Sequence, residues 1–268
     1  MQNQITSLQN NRIKFLNQLK EKSRIRKKEK CFLIEGKREI TLAQKGNYQI
    51  TQIYYCSSIM KYDEVLGLIN YSKEDIEIFE ITADIYQKIA YRTTTEGLLA
   101  IAKTKDLNIE HFSITSKKPL ILVAEAPEKP GNIGALLRTA DAAQVDAVFI
   151  ANPKTDMYNP NIIRSSVGCI FTNTIATGTT QEIIHFLQAH KINIYGAALQ
   201  ASKNYCTLDY TKPSAIVVGT EATGLSNEWL DNTTQNIKIP MSGVIDSMNV
   251  SVAAGIMIFE AKRQRNFH

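Results

Sequence analysis

"LILVAEAPEKPGNIGALLRTADAAQVDAVFIA", residues 120–151, decides the fold. Its opening, Leu120–Ala126, is a near-continuous apolar run, the pattern of a parallel strand covered on both faces. The prolines and glycines of "PEKPGNIG" then mark a turn. "ALLRTADAAQ" reads as a helix and "DAVFIA" as a second strand, so the stretch is a βα unit of an α/β sheet. Further along, "INIYGAAL" (192–199), "AIVVGTE" (215–221), a short helix near "SNEWLDN" (226–232) and "IKIP" (237–240) continue the alternation. In the terminal helix Val250, Ala253, Ala254, Met257, Ile258 and Ala261 recur at the spacing of one buried face.

Toward the N-terminus, the polar stretch ending in Pro119 reads as a linker, residues 107–118. Ahead of it, "CFLIEG" (31–36), "ITQIYYC" (50–56), "IEIFEI" (76–81) and "LLAIAK" (98–103) are strand-like runs separated by helix-length polar segments, a small α/β unit. From Arg12 to Lys30 there are nine Lys/Arg against two acids. With Ile5, Leu8, Phe15, Leu16 and Leu19 near helical spacing, this stretch predicts a basic amphipathic helix. The expectation is two α/β domains, residues 1–106 and 119–268.

The 268 residues are 44% hydrophobic and 21% charged, the balance of an ordinary soluble globular protein, and the net charge of +5 permits a polyanionic partner. Cys31, Cys56, Cys169 and Cys206 are scattered, with no C-x-x-C, and read as reduced, structurally buried thiols. The polar start "MQNQITSLQNN" has no apolar signal core and no run is long enough to span a bilayer, so a cytoplasmic protein with no membrane partner is expected. The sequons at Asn232 and Asn249 therefore carry no weight. The histidines (111, 185, 190, 268) suggest no metal site, and His185 and His190 read as surface. Both G-x-G-x-x-G and the P-loop pattern are missing, which disfavours a dinucleotide enzyme of Rossmann type.

What remains are three polar clusters at predicted strand ends, where open parallel sheets bind ligands. In "EAPEKPGNIGALLRTA", Gly131 and Gly134 allow a tight turn around Asn132, and Arg138 lies a turn into the helix, facing back to the loop. In "VVGTEATGLS" a buried strand stops at Gly219, and Glu221 and Gly224 follow. In "IPMSGVIDSMNVSVAAGI" (239–256), Ser247, Asn249 and Ser251 alternate with Met248 and Val250 at the mouth of an apolar helix. An N-cap by Ser247 or Asn249 explains one polar residue, not three.

"NIGALLRTADA", "GTEATGLS" and "IPMSGVIDSMNVSVAAGIMIFEAKRQR" resemble the three signature motifs of the SpoU/TrmH-type RNA 2′-O-ribose methyltransferases. "TSLQNNRIKFLNQL", "CFLIEGKREI" and "TTTEGLLAIAK" are similar to the substrate-binding domain many members carry, so the likeness spans nearly the whole chain. It implies a deep trefoil-knotted α/β domain behind a small, ribosomal-protein-like RNA-binding domain, with S-adenosylmethionine bound in the knot and a homodimer built around it. The knot is an exception to the rule against threaded chains. Gly219, Ile239 and Met248 are then expected to line the cofactor pocket, with Ala198 and Leu199 contributing. Met248 stands where Leu is commoner, a tolerable exchange.

By the same likeness Arg138 activates the ribose hydroxyl, Asn132 and Glu221 orient Arg138 and stabilise the loop, and Ser247 and Asn249 hold their loop and help orient the reacting groups. Because arginine holds its proton to above about pH 12, stabilising a developing alkoxide or an adjacent phosphate suits Arg138 better than acting as a base. Lys20, Lys22, Arg24, Arg26, Lys27, Lys28 and Lys30 are expected to neutralise RNA phosphates, the alternative being a solvated face. Structured ribosomal RNA is the expected substrate. Transfer RNA, or a non-catalytic RNA-binding protein of the same fold, are the competing readings.

Overall fold

The computed structural model describes residues 3–69, 76–91, 96–220, 222–244 and 247–267. In chain order its first elements are β1 (Asn3–Ile5), α1 (Asn11–Glu21), α2 (Ser23–Glu29), β2 (Cys31–Glu35), α3 (Lys37–Lys45), β3 (Ile50–Cys56), α4 (Tyr62–Leu68), β4 (Glu77–Ile81), α5 (Ala83–Ile89) and β5 (Leu98–Lys103). There follow β6 (Leu120–Glu125), α6 (Pro130–Ala143), β7 (Ala147–Ala151), α7 (Pro160–Ser165), β8 (Ile175–Gly178) and α8 (Thr180–Ala189). The last are β9 (Asn193–Ala197), β10 (Ser202–Asn204), β11 (Ser214–Val218), α9 (Asn227–Asn232), β12 (Gln235–Lys238) and α10 (Val250–Gln264). They group into two compact units: residues 1–105 with 156–172, and residues 106–155 with 173–268.

The first unit is a sheet of order β1-β4-β3-β5-β2, in which β5 runs antiparallel to both neighbours. The strand-like runs of the sequence are β2, β3, β4 and β5; β1, at three residues, is too short to leave a pattern. The basic stretch forms two helices rather than one. Asn10 caps α1 by accepting from the Arg12 N–H, and Ile13, Leu16 and Leu19 face the core. The chain then breaks at Lys22, whose backbone is extended. After the break Arg26 folds back, and its guanidinium donates to the Leu19 carbonyl (2.6 Å) and the Lys20 carbonyl (3.3 Å). These are orphan acceptors of the last turn of α1, so Arg26 closes that helix end from a neighbouring element.

Arg26 also forms an ion pair with Asp156, and both side chains are almost wholly buried (4% and 7% exposed). Arg26 is thereby withdrawn from the set expected to meet phosphates: its charge is spent inside the fold. Asp156 opens the excursion 156–172, which sequence order alone would assign to the second half. Aromatic packing holds it in the first unit. Tyr158 stacks on Phe32 at 4.4 Å, and Phe171 packs on Phe32 and Tyr48. Burial pushes the Tyr158 phenol well above its ordinary range, so it stays neutral and accepts from the Lys105 N–H at 2.9 Å.

The second unit is a seven-stranded parallel sheet of order β10-β12-β9-β11-β6-β7-β8. β6, β7 and β11 are buried along their whole length, as their apolar runs require. The start of the stretch read as a linker is packed rather than free: Leu107 accepts from the Thr177 N–H, Ile109 is buried, and Phe112 meets Phe149 edge-on. On α10 the buried face comprises Ala254, Met257, Ile258 and Ala261, together with Lys262, while Val250 and Ala253 are half-buried. Cys31 and Cys56 are buried as expected, but Cys206 is exposed, and none of the four forms a disulfide.

Arg26→Ala strands the Asp156 carboxylate in a buried site. It is expected to cost about 3–5 kcal/mol of stability, against less than about 0.5 for Lys27→Ala on the exposed face. Urea denaturation of the two variants measures the contrast; equal midpoints would show that the pair is dispensable.

Candidate functional site

β6 lies between β7 and β11, so the chain leaves it toward one side of the sheet and its other neighbour arrives from far along the sequence. At such a switch point the loops beyond the strand ends part and leave a crevice. The last residue of β6, Glu125, is buried there, and its carboxylate accepts from the Ser226 N–H (2.9 Å), the Ser226 hydroxyl (2.6 Å) and the Thr180 hydroxyl (3.4 Å). Ser226 is the N-cap of α9 but makes no capping bond with its own side chain. Glu125 therefore ties the starts of α8 and α9 to the end of the central strand.

That tie fixes the loop between β11 and α9. Thr220 and Gly224 exchange backbone hydrogen bonds at 3.0 and 3.1 Å, and Gly224 takes a positive φ of 70° that favours glycine. A Cβ on Gly219 would lie 2.1 Å from the Gly224 backbone carbon, so only glycine permits the close turn.

Around this loop lies a cavity of ≈ 390 Å³. Ala198, Leu199, Gly219, Ile239 and Met248 all line it, and so does Ser247. Small residues at the ends of β9 and β11 keep the floor open, while Ile239 and Met248 supply apolar walls. Thr220 and Met241 are lining residues that the sequence reading did not single out.

A second cavity of ≈ 310 Å³ adjoins the first and shares Gly219, Thr220, Ala222 and Val250 with it. Asn132 lines this one. Asn249 caps α10, its oxygen accepting from the Ser251 N–H (2.9 Å) and hydroxyl (2.6 Å), and its amide donates to the Asn132 side-chain oxygen at 3.3 Å. The cap is thus Asn249 rather than Ser247, and it joins the first and third sequence clusters. Gly131 and Gly134 lie inside α6, which starts at Pro130; the positive φ of the preceding turn belongs to Ala126. Consequently Arg138 sits two turns into the helix rather than one. It is exposed and lines neither cavity. Glu221 lies outside the described residues.

Among the basic residues, Lys22, Arg24, Lys27, Lys28 and Lys30 are exposed. Lys20 is partly engaged, donating to the Lys88 and Ala90 carbonyls at the end of α5 and resting over the Tyr91 ring. Among the described residues no cluster of His, Cys, Asp and Glu could hold a metal ion, and no helix is long and apolar enough to cross a membrane. His185 and His190 are exposed.

Paired cavities at the strand ends of a parallel sheet define a ligand-binding α/β domain. Residues 119–259 match the SpoU rRNA Methylase family and residues 10–100 the MRM3-like substrate binding domain. The chain belongs to the SpoU rRNA methylase family. It is 27% identical over 259 residues to the 23S rRNA (guanosine(2553)-2′-O)-methyltransferase RlmP of Bacillus subtilis, covering 97% of this chain and 99% of that one. The crystal structure of an RNA 2′-O ribose methyltransferase superposes with a TM-score of 0.83 at 35% identity, covering 98% of this chain and 99% of that one. An AdoMet-bound rRNA methyltransferase from Sinorhizobium meliloti superposes with a TM-score of 0.88 at 25% identity, covering 97% of each chain.

Gly219→Ala is expected to force the loop off its seat and to lower stability by about 1–3 kcal/mol, as overpacking does. An unchanged denaturation midpoint would contradict the close turn.

Proposed function

We propose that the protein is an S-adenosylmethionine-dependent methyltransferase acting on a ribose 2′-hydroxyl of structured RNA, namely ribosomal RNA. The observation that carries this reading is the pair of joined cavities: one donor site, one acceptor site and a common wall. The larger has the size and the mixed apolar and backbone lining of a nucleoside-sized ligand site. Ala198, Leu199, Gly219, Ile239 and Met248 are the residues to hold the donor there. S-adenosylmethionine supplies a methyl group already activated by its positive sulfur. The chain itself has to supply alignment, which is worth roughly 7–11 kcal/mol when the reacting atoms are held in line.

In this reading Asn132, held by Asn249, orients the acceptor ribose, and Ser247 stands at the rim of the donor cavity. These residues would hold the 2′-hydroxyl in line with the donor's methyl group, and the hydroxyl proton would leave to water. Arg138 stabilises the charge that grows on the 2′-oxygen. Glu221 is its candidate orienting partner.

Because Arg138 lines neither cavity of its own chain, its place in the reaction is across a homodimer interface. The exposed apolar residues Val252 and Phe259 of α10 are the natural surface for a second copy. A trefoil knot in the C-terminal half fits the path of the chain, which reaches β12 at the far side of β9 and returns to lay α10 against α6 and β11. The working compartment in this reading is the cytoplasm, where cysteines without disulfides persist.

RNA affinity is assigned to the exposed cations of α2 and its flanks. Lys22, Arg24, Lys27, Lys28 and Lys30 can neutralise phosphates without sequence choice.

Two measurements test the reading. Arg138→Ala is expected to lose about 10²-fold or more in turnover with S-adenosylmethionine affinity unchanged, and mixing it with Gly219→Ala chains should restore part of the activity. Near-normal turnover of Arg138→Ala alone would remove Arg138 from the chemistry. Charge reversal of Arg24, Lys27 and Lys28 to Glu should weaken RNA binding strongly and flatten its dependence on log salt by roughly 0.7 per lost contact. An unchanged salt slope would assign these residues to a solvated face.

A further inference from the structure

We propose that the second cavity receives the base and ribose of one unstacked nucleotide, and that Glu128 at its rim selects guanine. This rests on the methyl-transfer reading above and goes beyond it in naming the acceptor base. The cavity adjoins the donor site along Gly219, Thr220, Ala222 and Val250, so its occupant lies next to the transferred group. At ≈ 310 Å³ it has room for a single nucleoside and none for a duplex. An acceptor inside a folded RNA must therefore leave its stack to enter, as nucleotides modified by other enzymes do.

The lining divides by chemistry. Ala222 and Val250 offer apolar surface for the face of a base, backed by the buried Ala124, Pro127 and Leu136. Asn132 presents its amide N–H, because its oxygen already accepts from Asn249. That donor suits a ribose or phosphate oxygen. Glu128 is exposed beside the cavity, in the loop ahead of α6. An ionised carboxylate only accepts hydrogen bonds, with two oxygens side by side. Guanine alone among the four bases carries two adjacent donors on its pairing edge, N1–H and the N2 amine. Uracil has one N–H flanked by two carbonyls, which a carboxylate repels. Adenine and cytosine each place an amine beside an acceptor nitrogen, giving one bond and one clash of lone pairs. RNA bases outside helices are commonly read on this edge.

The test is calorimetric titration of the full chain, saturated with S-adenosylhomocysteine, with 5′-GMP, AMP, CMP and UMP in turn. GMP is expected to bind roughly ten-fold or more tighter than UMP, the discrimination of a good bidentate contact. Glu128→Lys, a change at an exposed loop position, should abolish that preference while S-adenosylhomocysteine affinity stays the same. Equal binding of the four nucleotides, or a preference that survives Glu128→Lys, overturns the assignment of Glu128. As a second arm, a large-subunit ribosomal RNA transcript is methylated with labelled donor and digested to nucleosides. 2′-O-methylguanosine supports the proposal, and any other methylated nucleoside overturns it while leaving the transferase reading intact. Failure of the chain to bind either S-adenosylmethionine or S-adenosylhomocysteine overturns the transferase reading itself.

Discussion

The parallel pairing of β6 with β11, strands far apart in the sequence, is the constraint on which the second unit depends. Leu120–Ala124 lie in register with Ser214–Val218, both strands buried on both faces, so neither can slip without exposing its apolar set. Once β7 takes the other side of β6, the loops after β6 and β11 must diverge, and the crevice between them follows from topology. Glu125 then fixes the shape of that crevice. A buried carboxylate needs its acceptor capacity filled, and here the Ser226 backbone and hydroxyl and the Thr180 hydroxyl fill it. The same bonds seat the loop that walls both cavities.

A comparable economy holds in the first unit. Arg26 satisfies carbonyls at the end of α1 and neutralises Asp156 with one guanidinium, a planar group suited to such divided bonding. The excursion that Asp156 begins contributes Tyr158 and Phe171 to the aromatic cluster around Phe32. The basic stretch therefore serves two ends. Its inward cation organises the fold, and its outward cations remain as an electrostatic surface of the kind polyanions bind.

The two cavities differ in lining. The larger has mixed apolar and backbone walls from Ala198, Leu199, Gly219, Ile239 and Met248, whereas in the smaller Asn132 and Glu128 add hydrogen-bonding side chains to an otherwise largely apolar lining. Their common wall is Gly219, Thr220 and Ala222 together with Val250 at the start of α10. Asn249 bridges the two sides by capping α10 with one end of its amide and holding Asn132 with the other. The polar residues at the mouth of that apolar helix thus have separate duties, and a cap is only one of them.

What the sequence determined by itself was whatever depends on local pattern. Unbroken apolar runs specified the buried strands β6, β7 and β11, and the motif residues Ala198, Leu199, Gly219, Ile239 and Met248 could be picked out before their convergence on one cavity was visible. Short elements left no such trace: β1, β8 and β10 are held by their neighbours rather than by their own periodicity. Charge was the least legible feature, since Arg26 and Lys27 are adjacent cations and only the break at Lys22 turns one inward and the other to water. Glu125 and Glu128 look alike in "EAPEK", yet one is a buried clamp and the other an exposed rim group. Arg138 likewise read as facing its own loop, because the helix was expected to start later than Pro130. These distinctions belong to the tertiary structure, for burial and partners are set by the packing of segments distant in sequence, which no local pattern encodes.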